Sequence, residues 1–518
     1  MYKNPKKSQQ MSINFDEFFL PFGGSLDGEN RWVKLAALIP WDLFEDDYAE
    51  LLSSSHGAGA LPFRVALGAL IIKERQRITD RETVEQIKEN PYLQYFLGFT
   101  EFTQEAPFDA SMLVHFRKRI SEELIRSINE KVIESAREKQ HNASFSTPEK
   151  QNSDHEDEPP SNSGKLIIDA TCTPADIRYP TDLSLLNEAR EKTERIIDTL
   201  WENRPATCSI HKKPRTYRKR ARKDFVTVVK QQKDRNKNSR KALRKQLGYL
   251  KRNLSHIDRL SKEVPLTTLS KFLYRSLLVV SEVYRQQYEM YTRETHRIAD
   301  RIVSITQPHV RPIVRGKAGK KVEFGAKISA SSCDGYGIVD RISWDAYNEN
   351  EDLIVQARRY RKRFGYYPAS IHADKIYRSR ENRRWCKKHN IRLSGPALGR
   401  PQKVGDENNR EIKRQRLLSR QDEIDRIDIE GRFGHSKRRY GLDRVMAKLT
   451  NTSTCVISLV FLVMNLEKIL RDLFLRLFYP AAHLKYYYRL LGASLVRWFE
   501  RVMPREPGGI MENLKLMA

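Results

Sequence analysis

Five residues of this chain have the types and spacings for phosphoryl-transfer chemistry. Arg426, Glu430 and Lys437 fall at i−4, i and i+7, and at about 100° per residue a helix brings all three to one face. Small Gly431 and Gly434 lie close by. Taken alone, one acid between two bases is an ordinary surface ion-pair ladder. Two acids far upstream change that reading. Asp169 closes the run Lys165-Leu-Ile-Ile-Asp169, a short, β-branched, apolar strand that delivers a carboxylate at its tip. Asp374 closes a second short strand, Ser370-Ile-His-Ala-Asp374, set between two helical stretches. Two strand-end carboxylates and one helix-borne carboxylate are the hard oxygen ligands that Mg²⁺ takes. Two such ions, about 3.5–4 Å apart, activate an attacking oxygen and stabilise a leaving one. Mn²⁺, softer and more tolerant, is expected to substitute.

These residues also carry a resemblance. The chain resembles the DDE transposases of bacterial insertion sequences, whose third-acid motif reads Tyr-x2-Arg-x3-Glu-x6-Lys. Arg426-x3-Glu430-x6-Lys437 fits that motif, with Glu423 standing where the motif has Tyr, and Tyr440-Gly441-Leu-Asp-Arg444 follows as in that group. Ile-Asp169-Ala-Thr matches the first acid and Ala-Asp374-Lys-Ile-Tyr the second. The resemblance implies a ribonuclease H-like core in which Asp169, Asp374 and Glu430 ligate two Mg²⁺ ions. Arg426 and Lys437 would orient Glu430 or hold phosphates, Arg through paired donors and Lys as a point charge. It implies hydrolysis at an element end, then attack of the freed 3′-OH on target DNA. The partners implied are double-stranded DNA, as terminal inverted repeats and as target, and a second copy of the chain in a homo-dimer on DNA. Two other readings remain open: a nuclease that cuts without joining, and a non-catalytic DNA-binding derivative.

Composition narrows the class. Against 66 acids stand 94 Lys and Arg, a net charge of +28, which points to a polyanion, most simply nucleic acid. An anionic membrane surface is the alternative. The most apolar run, Cys455–Leu466, is too short to span a bilayer and reads as a buried helix. Five scattered cysteines without a CxxC pair argue against disulfides or structural zinc and suit a reducing cytoplasm, with nucleoid association when DNA is bound. Cys208-x2-His211 is only half of a zinc site. No signal-peptide segment opens the chain, and either Met1 or Met11 could be the start.

The elements that must position the five residues make an α/β protein: a ribonuclease H-like mixed sheet with a large helical insertion, preceded by an all-α domain. Residues 1–28 read as loose. Capped helices follow at Trp32–Ile39, Trp41–Leu52, Phe63–Arg77, a stretch from the Thr79-x-x-Glu82 box to Glu89, a short one from Pro91, and Met112–Ala136. They place a helical DNA-binding domain at 1–141, with Arg117, Lys118 and Arg119 able to face phosphates. Residues 142–164, rich in Ser, Asn, Pro and acids, read as a flexible linker. The core comprises 165–182 and 301–450. Its insertion, 183–300, is expected to be helical, with helices Leu185–Trp201 and Leu266–Ile302 around a basic middle. Residues 201–250 hold 17 Lys and Arg against 3 acids, half the excess of the chain. Arg218, Lys219, Arg220, Arg222 and Lys223 lie at the densest point, a phosphate-tracking arm. Alternation over Lys321–Ala330 and an Asp334-Gly335 turn predict a hairpin. Ile424, Ile427 and Phe433 are expected to form the buried stripe of the Glu430 helix. The segment 451–518 is expected to be helical, at Thr454–Phe478 and Ala482–Val502.

Overall fold

The computed structural model describes residues 14–21, 23–53, 59–144, 162–230, 235–314, 322–395 and 409–475. Most of the expected linker, the Gly/Pro/Lys-rich loop before the Glu430 helix, Met11 and the helix expected at Ala482–Val502 lie outside the described residues.

Seven helices come first: α1 (Arg31–Ala36), α2 (Glu45–Ala49), α3 (Phe63–Gln76), α4 (Asp80–Glu89), α5 (Pro91–Phe96), α6 (Met112–Arg119) and α7 (Glu122–Ser144). Their starts follow the capping chemistry. Asn30 accepts the Trp32 N–H, Thr79 the Glu82 N–H and Asn90 the Tyr92 N–H, each filling one of the orphan donors of a first turn. Two expectations fail locally. Trp41–Leu52 is a 3₁₀ turn followed by the short α2. Met112–Ala136 is two helices, broken at Ile120, whose ψ of 104° is extended. The segment expected to be loose also contributes to the core, since Phe18 and Leu26 are buried.

The sheet has β1 (Lys165–Pro174), β2 (Arg311–Val314), β3 (Val322–Cys333), β4 (Tyr336–Ser343), β5 (Ser370–His372) and β6 (Arg392–Leu393). Its order is β2-β3-β1-β5-β6, with β4 also on β3. Gly325 pairs with Pro174 and with Arg311, so β2 and β1 lie on opposite sides of β3. The β1·β5 and β5·β6 pairs are parallel and the others antiparallel, a mixed sheet. The β3–β4 hairpin turns at Asp334 (φ 52°) and Gly335 (φ 75°), the left-handed pair that a two-residue turn needs.

Between β1 and β2 lies the helical insertion: α8 (Asp182–Glu202), α9 (Arg218–Val229), α10 (Arg235–Ser261) and α11 (Lys271–Thr292). The Thr181/Ser184 capping box starts α8. Ser270 caps α11, which ends at Thr292, short of the expected Ile302. Leu277 and Val280 of α11 are buried, with Leu273, Tyr284 and Tyr291 packed beside the same cores.

After β4 come α12 (Asp352–Phe364), α13 (Arg380–Lys388), the long α14 (Asn409–Tyr440) and α15 (Thr450–Leu475). One core, containing Leu166, Ile168, Leu353, Tyr360 and Ile371, joins β1 and β5 to α12 and α13. The other runs from the N-terminal helices through Ile328, Ile338, Ile429 and Phe433 into α15. The N-terminal helices therefore share one core with the sheet. α15 is long and apolar enough to cross a membrane, longer than the expected run, and 78% of its apolar window is buried within the protein.

Candidate active site

Strand alternation sorts β1 by face. Leu166 and Ile168 point to the α12/α13 core, while Ile167 packs with the core that contains α14. Asp169 shares the parity of Ile167. It is not at a strand tip, because β1 runs on to Pro174 and pairs Asp169 with Ala330 of β3. What ends near it is the parallel pairing with β5, whose last pair is Ile167 with His372. The same register carried two residues further sets Asp169 level with Asp374. There β5 has already left the sheet, and Asp374 caps the 3₁₀ turn Lys375–Tyr377 by accepting the Lys375 N–H at 2.6 Å.

The third acid is delivered by α14, which is fixed along the sheet by polar contacts. Arg392 of β6 grips Asp422 through two bonds of 2.7 Å, and Lys165 of β1 holds Asp425 at 2.7 Å. His372, fully buried in β5, bonds Ser370 at 2.8 Å and lies 3.5 and 3.6 Å from Asp422 and Asp425. Burial holds its pKa down, against the pull of the two aspartates. Ser332 of β3 donates to Asp428 at 2.5 Å. The buried stripe of α14 is thus Asp422, Ile429, Phe433, Ser436 and Tyr440. Ile424 and Ile427, expected in it, are 50% and 61% exposed. The polar members are invisible to a search for apolar periodicity, because Asp422 is buried by its bonds to Arg392 of β6 and Ser436 by donating to Phe433 O within α14.

This mounting brings Arg426 beside Asp374 and Lys437 onto β1. The Arg426 guanidinium is 3.4 Å from Glu430 and 3.7 Å from Asp374. Asp169 feels the same group. Burial raises its pKa to about 6, the Ala170 N–H and Arg426 lower it, and Glu349 and Glu430 raise it. Lys437 donates to Thr171 Oγ1 at 3.1 Å, on β1 two residues past Asp169. The Tyr440–Arg444 segment closes the helix. Gly441 takes φ 74°, Leu442 N–H returns to Ser436 O at 3.2 Å, and Arg444 pairs with Asp176 just past β1.

The donor set of Asp169, Asp374 and Glu430 suits a hard divalent cation in kind. Among the described residues, however, no three acid, His or Cys side chains stand close enough together to hold a metal ion. Arg426 supplies the positive charge between Asp374 and Glu430.

Comparison with known proteins bears on what such an arrangement serves. Residues 22–119 match the family described as Transposase domain (DUF772), and residues 371–467 match the Transposase DDE domain. The second segment contains Asp374, Arg426, Glu430 and Lys437; Asp169 lies between the two. Over 167 residues the chain is 30% identical to a Rhizobium meliloti protein named "Uncharacterized protein ORF8 in nfe locus", a stretch covering 32% of this chain and 70% of that protein. The chain belongs to the DDE transposases of insertion sequences. No solved structure matches. Members of this family are enzymes that act on DNA, generally with divalent metal ions.

The transposase distributes its expected DNA-contact residues unevenly. Arg117 is a correction: it is only 8% exposed and grips Asp80 with both terminal guanidinium nitrogens, so α6 cannot offer it to a phosphate. Lys118 is exposed, and Arg119 is half-buried beside Tyr48. In the insertion, Arg218 bonds both oxygens of Asp198 at 2.9 and 3.0 Å. Lys219, Arg220, Arg222 and Lys223 line the exposed side of α9, whose Ala221 and Val228 are buried. Sequence reading missed Glu349, which acts on Asp169 and pairs with Lys327 at 2.9 Å. Its only signal is the acidic run Glu349–Asp352 at a helix start, which capping alone explains.

Proposed function

We propose that the protein cuts DNA at the ends of an insertion sequence and joins the freed 3′-OH to target DNA, using a ribonuclease H-like core in which Asp169, Asp374 and Glu430 are the metal ligands. What supports this reading is Arg426. Three carboxylates brought by β1, the turn after β5 and α14 have no packing reason to gather about one guanidinium, yet it lies within 4 Å of two and lowers the pKa of the third. The position of β1 in the middle of the β2-β3-β1-β5-β6 order supports the core assignment. A pair of Mg²⁺ ions, or Mn²⁺, held by these acids would supply Lewis acidity to the attacking and leaving oxygens. Arg426 balances the acids without metal, and its two-pronged donor suits a phosphate oxygen once their charge is met otherwise. Lys437, anchored at Thr171, places a point charge beside β1.

In this reading the helices up to residue 141 and the exposed face of α9 hold terminal repeats, and two copies of the chain pair the two element ends. The test is a joining assay. A labelled duplex bearing the element end is incubated with supercoiled target in Mg²⁺. Cut ends that become covalently attached to target are the expected product. Cut ends that accumulate without joining would identify a nuclease instead.

A further inference from the structure

On α14, one residue past Glu430 and on a different face, Gly431 opens onto a cleft of about 870 Å³. Its walls come from three distant parts of the chain: the N-terminal helices, α14 and α15. Among the described residues, six cations line it, Arg31, Arg75, Arg432, Arg439, Lys468 and Arg471, against two carboxylates. Both carboxylates are already engaged, Asp428 by Arg432 at 3.1 Å and Glu467 by Arg75. Lys468 reaches Asp472 at 2.5 Å. Among the described residues Arg31 and Arg439 have no acidic partner. His435, also in the wall, has its pKa lowered by burial and then by Arg439, Arg438, Arg471 and Arg432, the imprint of a strongly positive surface. A folded protein brings like charges together at a cost unless an anion offsets them.

We propose that this cleft binds the phosphodiester backbone of duplex DNA flanking the scissile position. The inference rests on the reading of Glu430 as part of the cutting site. A helix is about 10–12 Å across with its side chains, and the phosphates of one strand recur about every 3.4 Å along the duplex axis. A strand with one phosphate at Glu430 therefore brings others, a few nucleotides away, level with the far side of α14. Because Arg31 and Arg75 come from the N-terminal helices, DNA seated there is gripped jointly by those helices and the catalytic core.

The test uses the full chain, random duplex DNA and EDTA, so that no cleavage is needed. Arg31→Ala with Arg439→Ala should lower the slope of log K against log salt by about 1.8, about 0.9 for each lost phosphate contact. A slope equal to wild type, in a variant with an unchanged melting temperature, overturns the proposal. A free phosphate is the competing ligand of the same chemistry. Saturable pyrophosphate binding that the double variant loses, beside an unchanged DNA slope, would also overturn it. If the double variant does not fold, Gly431→Cys decides. The five native cysteines are all buried, and nothing lies within 4 Å of a Cβ built at Gly431. This thiol should exchange with a disulfide-activated tether on a backbone phosphate near the cut, releasing the leaving thiol and cross-linking to the DNA, and absence of cross-linking overturns the proposal. Wild-type protein that binds as expected but never cleaves would refute the catalytic reading and leave the cleft standing.

Discussion

Asp169 is held in a setting that costs stability. Burial outweighs its bond from Ala170 N–H and the pull of Arg426, and its pKa rises to about 6. An aspartate in an unfolded chain titrates near 3.9, so the folded protein binds this proton more tightly. Stability tied to that proton is complete below about pH 4 and is lost as pH rises through about 6. Asparagine keeps the acceptor for Ala170 N–H and never ionises. Asp169→Asn should therefore be more stable than wild type near pH 8 in EDTA, by about 1–2 kcal/mol, with the difference closing by about pH 4. Thermal melts across that range check it, and an asparagine variant that melts lower near pH 8 would show that burial is not what dominates at this residue.

At the scale of elements, α14 decides whether the acids can meet. Arg392, Lys165 and Ser332, from three strands, hold α14 at Asp422, Asp425 and Asp428, and Arg426 and Glu430 are presented from the same two turns. Removing Arg392 leaves Asp422 buried with its main partner gone. Arg392→Ala should cost about 2 kcal/mol of stability and slow cleavage while leaving DNA affinity unchanged, as read by melting, a cleavage time course and a binding isotherm. Full cleavage in that variant would mean that the Arg392–Asp422 pair does not position Glu430. The same helix shows what is legible in a sequence. The motif spacing identifies Arg426, Glu430 and Lys437 as cofacial, because helix pitch alone sets that. Which face is buried is not legible, because Asp422 and Ser436 are buried by bonding while exposed Ile424 and Ile427 mimic a core stripe. Strand β3 and its Asp334-Gly335 turn are readable from alternation and turn chemistry. The length of β1 is not, since its last residues, Ala170–Pro174, are set by pairing with β3.

Across the whole molecule, the positive excess is unevenly distributed. Half of it sits in residues 201–250, and six further cations line the cleft behind α14. The two regions matched to transposase families share one core, and Arg75 of the first pairs with Glu467 of the second. Asn465 of α15 bonds Asn129 of α7 at 2.9 Å and both backbone polar groups of Gly337 in β4, all buried, so the N-terminal helices, the hairpin and α15 lock at one point. The central claim is that Asp169, Asp374 and Glu430 act as one centre on this frame. The most direct measurement is a cleavage time course in Mg²⁺ for Asp169→Asn, Asp374→Asn, Glu430→Gln and the three pairwise doubles. The control is Asp345→Asn, an aspartate that is 75% exposed and stands outside the three-acid cluster. Each single variant should lose cleavage while keeping DNA binding, each double should be barely worse than a single, as for groups that act as a unit, and the control should cut normally. Near wild-type cleavage by any one of the three, or losses that multiply from single to double, would contradict the account.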